Sequence, residues 1–201
     1  MTDIQETCGV IYYNRGEKCL LRICVSIFSL RKVYSGAVCL LYEGALDPKV
    51  GRFLDKMNVE RRQLTYRDDC RALVRKATTW RDTPYDRTLF LDADTIVLNP
   101  IDEMFEFLST YDLVVTNFSG WKTSGRTIAG RIKGFSSVVS EEEIQAAIKY
   151  GNESNYGGAV NTGVYAFRKD AKILETWENL AYLGSVNHCS FIPDEIACQI
   201  I

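Results

Sequence analysis

Residues 89–98 read Leu-Phe-Leu-Asp-Ala-Asp-Thr-Ile-Val-Leu, an apolar, β-prone run interrupted by two aspartates one residue apart. A buried strand accounts for the flanks. It does not account for the acids, because a carboxylate without a partner is costly to bury. The pattern therefore predicts Asp92 and Asp94 at the C-terminal end of a strand, where a sheet opens to solvent. Two carboxylates there make a hard-oxygen corner suited to Mg²⁺ or Mn²⁺, ions that bind through one or two carboxylates together with substrate phosphates. In open α/β sheets the ligand crevice lies at that same end of the strands. The corner predicts a divalent cation with a diphosphate. A solvated, Asp-capped turn is the alternative that this stretch alone leaves open.

The remaining composition narrows the class. A chain of 201 residues is long enough for one domain with a substantial core. Its net charge of −2 creates no basic field, so nucleic acid is not an expected partner. No apolar run is long enough to span a bilayer, so no transmembrane segment is expected. The opening Met-Thr-Asp-Ile-Gln-Glu lacks the basic stretch of a signal peptide. Seven cysteines (an odd number) occur without a CxxC pair, most of them inside apolar runs. They read as reduced core residues of a cytoplasmic protein. His188, the only histidine, has no ligand-like neighbours and reads as a loop residue.

Taken in order, the chain alternates strand and helix patterns. Residues 8–13 read as a buried strand, 17–32 as a helix and 37–42 as a second strand. This β-α-β opening favours a parallel sheet and an α/β class. Tyr13 and Asn14, at the first strand's end, would then lie beside a ligand, with Tyr13 either stacked on a base or packed under the next helix. Asp47-Pro48 starts a short helix. Residues 59–64 form an arginine-rich candidate edge strand, and 67–80 a helix carrying Lys76 beside its apolar stripe. Asn99-Pro100 opens a helix, 112–116 is a strand, and 117–139 reads as a long loop. Ser140 and Glu143 make a capping box for a helix stopped by Gly151. Residues 159–167 form a strand with a polar Asn161-Thr162-Gly163 insert, where Gly marks close approach of a ligand or backbone. A helix over 171–183 ends at Gly184, and Ile192-Pro193-Asp194-Glu195 opens a last apolar helix.

Three blocks, in order, carry a resemblance. The first runs from Lys76 through Trp80, Pro84-Tyr85 and the 89–98 run to Ile101-Asp102 and Phe105; the second is Val160-Asn161-Thr162-Gly163-Val164; the third is Asp194-Glu195. Together they resemble the nucleotide-sugar glycosyltransferases of the glycogenin-like family, glycosyltransferase family 8. That resemblance implies a single Rossmann-like GT-A domain over residues 1–201, α/β in class, with a mainly parallel central sheet flanked by helices. It implies transfer of a hexose from a nucleoside-diphosphate sugar, with a bias to UDP, to an unassigned carbohydrate or protein acceptor, with retention of configuration.

The implied roles are local. Asp92 and Asp94 would be the DxD pair that holds Mn²⁺ or Mg²⁺ and, with Ala93, the donor; Tyr13 and Asn14 would border the nucleotide. Lys76 would reach the donor phosphate or sugar. Asn161, Thr162 and Gly163 would line the sugar and acceptor pocket, and Asp194 would contact the transferred sugar. Lys76→Ala is then expected to cost turnover and little stability.

Two departures stand out. Glu195 replaces the family's usual Gln. The basic segment with a histidine, the family's third metal ligand, would follow residue 201, so either the sequence is incomplete there or metal binding is weakened. That departure motivates an alternative: a catalytically degenerate domain that binds a nucleotide sugar or serves as a partner subunit. A HAD-type phosphohydrolase also places DxD after an apolar strand, with Thr or Val two residues past the second Asp. Here Ile96 holds that position and the motif lies mid-chain.

Overall fold

Parallel strands need a crossover connection, and strands covered on both faces are apolar throughout. The first half of the chain meets both conditions in the computed structural model, which describes residues 6–17, 19–67, 71–117, 128–153 and 159–201. Strand β1 (Cys8–Arg15) leads through helix α1 (Leu20–Leu30) to β2 (Ala37–Glu43), then through α2 (Pro48–Lys56) to β3 (Glu60–Leu64). β1 pairs parallel with β2, and β2 with β3. Val10, Ile11 and Tyr12 of β1 and Val38 to Leu41 of β2 are at most 2% exposed. β3 is an edge strand, and its Glu60, Arg61 and Arg62 are exposed as expected for an edge.

Short helices α3 (Ala72–Lys76) and α4 (Thr79–Asp82) then lead to β4 (Arg87–Leu91), parallel to β1 on the side away from β2. The remaining elements are α5 (Asp102–Phe107), β5 (Leu113–Asn117), α6 (Ile128–Lys133), α7 (Glu141–Glu153), β6 (Val160–Arg168), α8 (Ile173–Val186) and α9 (Pro193–Ile200). The sheet order is β3-β2-β1-β4-β6-β5, with β6 antiparallel to β4. The expected α/β class and mainly parallel sheet are what the chain forms. The order turns back between β1 and β4, the switch point at which open α/β sheets bind ligands.

The chain divides into two compact units. The first comprises Met1–Arg67, Thr79–Val114 and Gly163–Ala171. Its core joins Val10 and Tyr12 of β1, Ile23 and Ile27 of α1, Leu54 of α2, and Leu89 and Leu91 of β4, with Phe105 and Leu108 at α5. The second comprises Asp68–Thr78, Val115–Thr162 and Lys172–Ile201. It is mainly helical and buries Ile132, Phe135, Ile144, Leu174, Trp177 and Ile196.

Several local readings are corrected. The helix expected over 67–80 is two short helices. Thr78 Oγ1 donates to the Arg75 carbonyl at 2.8 Å, and a Thr that captures a helix carbonyl competes with the next turn. α5 starts at Asp102, not at Asn99-Pro100, which are exposed and precede it. The loop read over 117–139 contains α6, and Ile132 and Phe135 are fully buried. Residues 118–127 of that loop, with Trp121, lie outside the described residues, as do Cys70 and 154–158. The capping box forms: Ser140 N–H donates to Glu143 Oε2 at 2.8 Å and Glu143 N–H to Ser140 Oγ at 3.2 Å. Gly151 does not stop that helix, which continues to Glu153.

Gly184 does not stop α8 either. The helix continues two residues further to Val186 and is closed by His188, which takes φ 55°. His188 N–H then donates to Ser185 O at 3.1 Å and Cys189 N–H to Gly184 O at 2.8 Å, the Schellman pair of bonds. Asn58 (φ 50°) closes α2 in the same way. Gly184 serves packing instead: a Cβ there would lie 2.4 Å from the Phe135 ring carbons. Gly184→Ala is expected to destabilise the protein by about 1–3 kcal/mol through overpacking. A thermal melt that matches wild type would show that the ring can yield.

Candidate functional site

β4 ends at Leu91, and the two acids follow at once. Asp92 is half-buried, Ala93 and Asp94 form a turn, and Asp94 is exposed. The backbone of this turn is held on both sides. Asp92 N–H donates to Gly163 O at 2.7 Å, while Asp92 O accepts from Thr95 N–H at 3.2 Å and from Thr95 Oγ1 at 2.8 Å. Thr95 Oγ1 also bonds Ser26 Oγ at 2.9 Å, and Ser26 Oγ bonds the Tyr12 hydroxyl at 2.9 Å. One turn along α1, Ser29 Oγ accepts from Val97 N–H at 2.9 Å. A buried polar chain thus fixes the aspartate turn to β1 and α1. Burial pushes the Tyr12 hydroxyl up to about 12, so it stays neutral.

Ser26→Ala would strip the fully buried Tyr12 hydroxyl and Thr95 of their shared partner. We expect a loss of about 1–3 kcal/mol in denaturant unfolding; an unchanged midpoint would mean that a water replaces the serine.

The β1–β4 ladder runs from Cys8 opposite Arg87 to Ile11 opposite Phe90. Two residues further along each strand come Tyr13 and Asp92, so Tyr13 and Asn14 share the C-terminal edge of the sheet with the aspartates. Asn14 is 3% exposed. Its Nδ2 donates to Gly16 O at 2.5 Å, and its Oδ1 has no hydrogen-bond partner among the described residues. An orphaned buried acceptor at the ligand end of a sheet suits a bound donor group. Beside it, Arg15 Nε meets the buried Glu43 carboxylate at 2.7 Å, and its guanidinium lies 4.8 Å over the Tyr66 ring. Sequence reading missed Arg15, Glu43 and Tyr66. Arg15 and Glu43 carry one local signal, a charge at the end of an apolar run, and Tyr66 carries none.

In the second unit, Asp194 sits in the first turn of α9 and is 1% exposed. Its Oδ2 accepts from Thr162 Oγ1 at 2.9 Å, and Lys76 Nζ, also buried, lies 3.9 Å from the same oxygen. Burial raises the Asp194 carboxyl above the ordinary range; the Lys76 ammonium and the Thr162 hydroxyl oppose that rise. Trp177 Nε1 donates to the Asp194 carbonyl at 2.8 Å. β6 residues continue the attachment: Asn161 Nδ2 donates to Glu195 Oε1 at 3.1 Å and Val160 N–H to Gln199 Oε1 at 2.9 Å. The polar insert in β6 therefore docks α9. Lys76, Asn161, Thr162 and Asp194 fall together in this unit. Tyr13, Asn14, Asp92, Ala93, Asp94 and Gly163 belong to the first.

Among the described residues no group of three or more His, Cys, Asp or Glu side chains is placed to hold a metal. Asp92 and Asp94 are two hard-oxygen donors on a fixed turn. They fit a cation of the Mg²⁺ or Mn²⁺ type that completes its coordination with phosphate and water.

No protein-family model matches the sequence, and comparison with curated proteins also gave no match. Solved structures do match. The crystal structure of the glycosyltransferase GlyE from Streptococcus pneumoniae TIGR4 aligns with a TM-score of 0.62 at 15% identity, over 97% of this chain and 43% of that one. The chain thus spans less than half the length of that neighbour. At this identity the likeness is one of architecture: the chain has a glycosyltransferase fold.

Proposed function

We propose that this chain is a glycogenin-like, nucleotide-sugar-dependent hexosyltransferase domain, acting in the cytoplasm on a UDP-sugar with retention of configuration. The observation that carries the reading is the Asp92-Ala93-Asp94 turn. It lies at the switch-point end of β4, clamped through Thr95 and Ser26, with one carboxylate half-buried and the other exposed. A divalent ion bound there would neutralise charge on the leaving diphosphate. Asp92 and Asp94 would hold it. Tyr13 and Asn14 would border the nucleotide, with the unfilled acceptor of Asn14 taking a donor from it. In the second unit, Lys76 adds a buried positive charge, and Asp194 is the carboxylate assigned to the transferred sugar. Asn161, Thr162 and Gly163 complete the sugar and acceptor assignment. The thiols of Cys39 and Cys198, each pushed up to about 12 by burial, are unreactive core groups.

The two-carboxylate set favours a second reading, a domain that binds the nucleotide sugar without turning it over. Calorimetry with UDP, first with Mn²⁺ and then with EDTA, tests both. We expect Mn²⁺-dependent binding that weakens at least about tenfold in Asp94→Ala, with an unchanged far-ultraviolet spectrum. Binding that ignores both EDTA and Asp94→Ala would remove the diphosphate from this corner. Release of UDP from UDP-glucose by the wild type separates the enzyme from the binder.

A further inference from the structure

α1 carries two apolar faces. The inner one, Leu20, Ile23, Ile27 and Leu30, is buried in the first unit. The outer one, Leu21, Val25 and Phe28, follows i, i+4, i+7 spacing and is exposed by 76%, 50% and 52%. The ridge continues beyond the helix. Bonds from Thr95 to Ser26 and from Val97 to Ser29 lay residues 95–97 along α1, and Ile96 and Leu98 on that segment are 56% and 77% exposed. Large apolar side chains clustered in this way mark an interaction surface.

The flanks say which partner fits. α1, α2 and α5 all pack into the one core over β2, β1 and β4. α1 joins β1 to β2, α2 joins β2 to β3, and α5 follows β4. Strand order therefore sets the helices side by side as α2, α1, α5. α2 exposes Lys49, Arg52 and Lys56, with its one exposed acid, Asp55, neutralised by Arg61 at 2.6 Å, and α5 exposes Asp102, Glu103 and Glu106. An apolar ridge thus runs between a basic bank and an acidic bank. A two-fold axis along α1 would set the ridge against its own copy, with the basic bank of each protomer facing the acidic bank of the other. A dyad across α1 would set like charges together. An anionic lipid surface would meet α5 with the wrong sign.

We propose that this face is the isologous interface of a homodimer, with α1 packed parallel against α1 of a second copy and α2 of each chain opposite α5 of the other. Sedimentation equilibrium on the full chain tests it. The wild type is expected to dimerise, and Val25→Glu to raise the dissociation constant at least about tenfold while leaving the circular dichroism unchanged. Two charge variants test the pairing independently of the ridge. Arg52→Glu/Lys56→Glu and Glu103→Lys/Glu106→Lys should each dimerise poorly alone and form a heterodimer on mixing. A wild type that stays monomeric overturns the proposal, and so does a dimer indifferent to Val25→Glu or charge variants that do not pair. Co-sedimentation with phosphatidylserine vesicles, lost in Val25→Glu, would assign the ridge to a membrane and also overturn it.

Discussion

Lys76→Ala is expected to destabilise the protein by about 3–5 kcal/mol, the cost of removing one partner of a buried ion pair. A lysine on a helix reads from sequence as a solvated charge or a ligand contact, and its loss as nearly neutral for stability. The structure corrects that expectation, because Lys76 is 5% and Asp194 1% exposed. Without the ammonium, Asp194 keeps the Thr162 hydroxyl and the backbone N–H groups of Asp194 and Glu195, but no opposite charge, against its burial.

The sign of the pH dependence follows. Burial raises the folded-state pKa of Asp194 above its unfolded value. The protonated form therefore adds stability that is complete below the ordinary carboxylate range and is lost as pH rises through the raised value. Losing Lys76 raises that value further. The Lys76→Ala penalty should accordingly be largest near pH 7 and shrink toward about pH 4. Asp194→Asn in the same chain should recover part of the loss. Thermal melts of the single and double variants at both pH values decide it; a penalty that is flat with pH would mean that Lys76 acts through packing of its stem.

Trp177→Ala should cost about the same, roughly 3–5 kcal/mol. Trp177 is 1% exposed in α8, and its indole N–H holds the Asp194 carbonyl at 2.8 Å. The substitution leaves a cavity and removes that bond. Trp177→Phe keeps most of the volume and loses the bond, so about 1–3 kcal/mol is expected for it. The difference between the two in urea midpoints measures packing against hydrogen bonding. Equal losses would give the whole effect to the bond.

How far sequence reaches can be seen residue by residue. The strands at 8–13 and 37–42 were legible because a strand covered on both faces must be apolar throughout. The capping box was legible because Ser140 and Glu143 complete it within one turn. The position of Asp92 and Asp94 just past Leu91 followed from the cost of burying carboxylates. Helix ends were misread where tertiary packing overrode propensity. Gly184 sits in α8 because the Phe135 ring lies on it, and the stop falls on His188. α6 was hidden because Gly130 falls inside it and Gly134 directly follows it, and both read as loop signals.

By itself, then, the sequence determined the α/β class, the parallel opening and the aspartate turn, since each rests on periodicity or on groups a few residues apart. Only the tertiary structure decided that the Thr162 hydroxyl meets the Asp194 carboxylate, that Tyr12, Ser26 and Thr95 form one buried chain, and that Lys76 is a buried ion-pair partner. The bonds among these groups join residues 14, 32 and 69 positions apart. Contacts across such separations are set by which faces the folded elements bury together, and leave no local pattern to read.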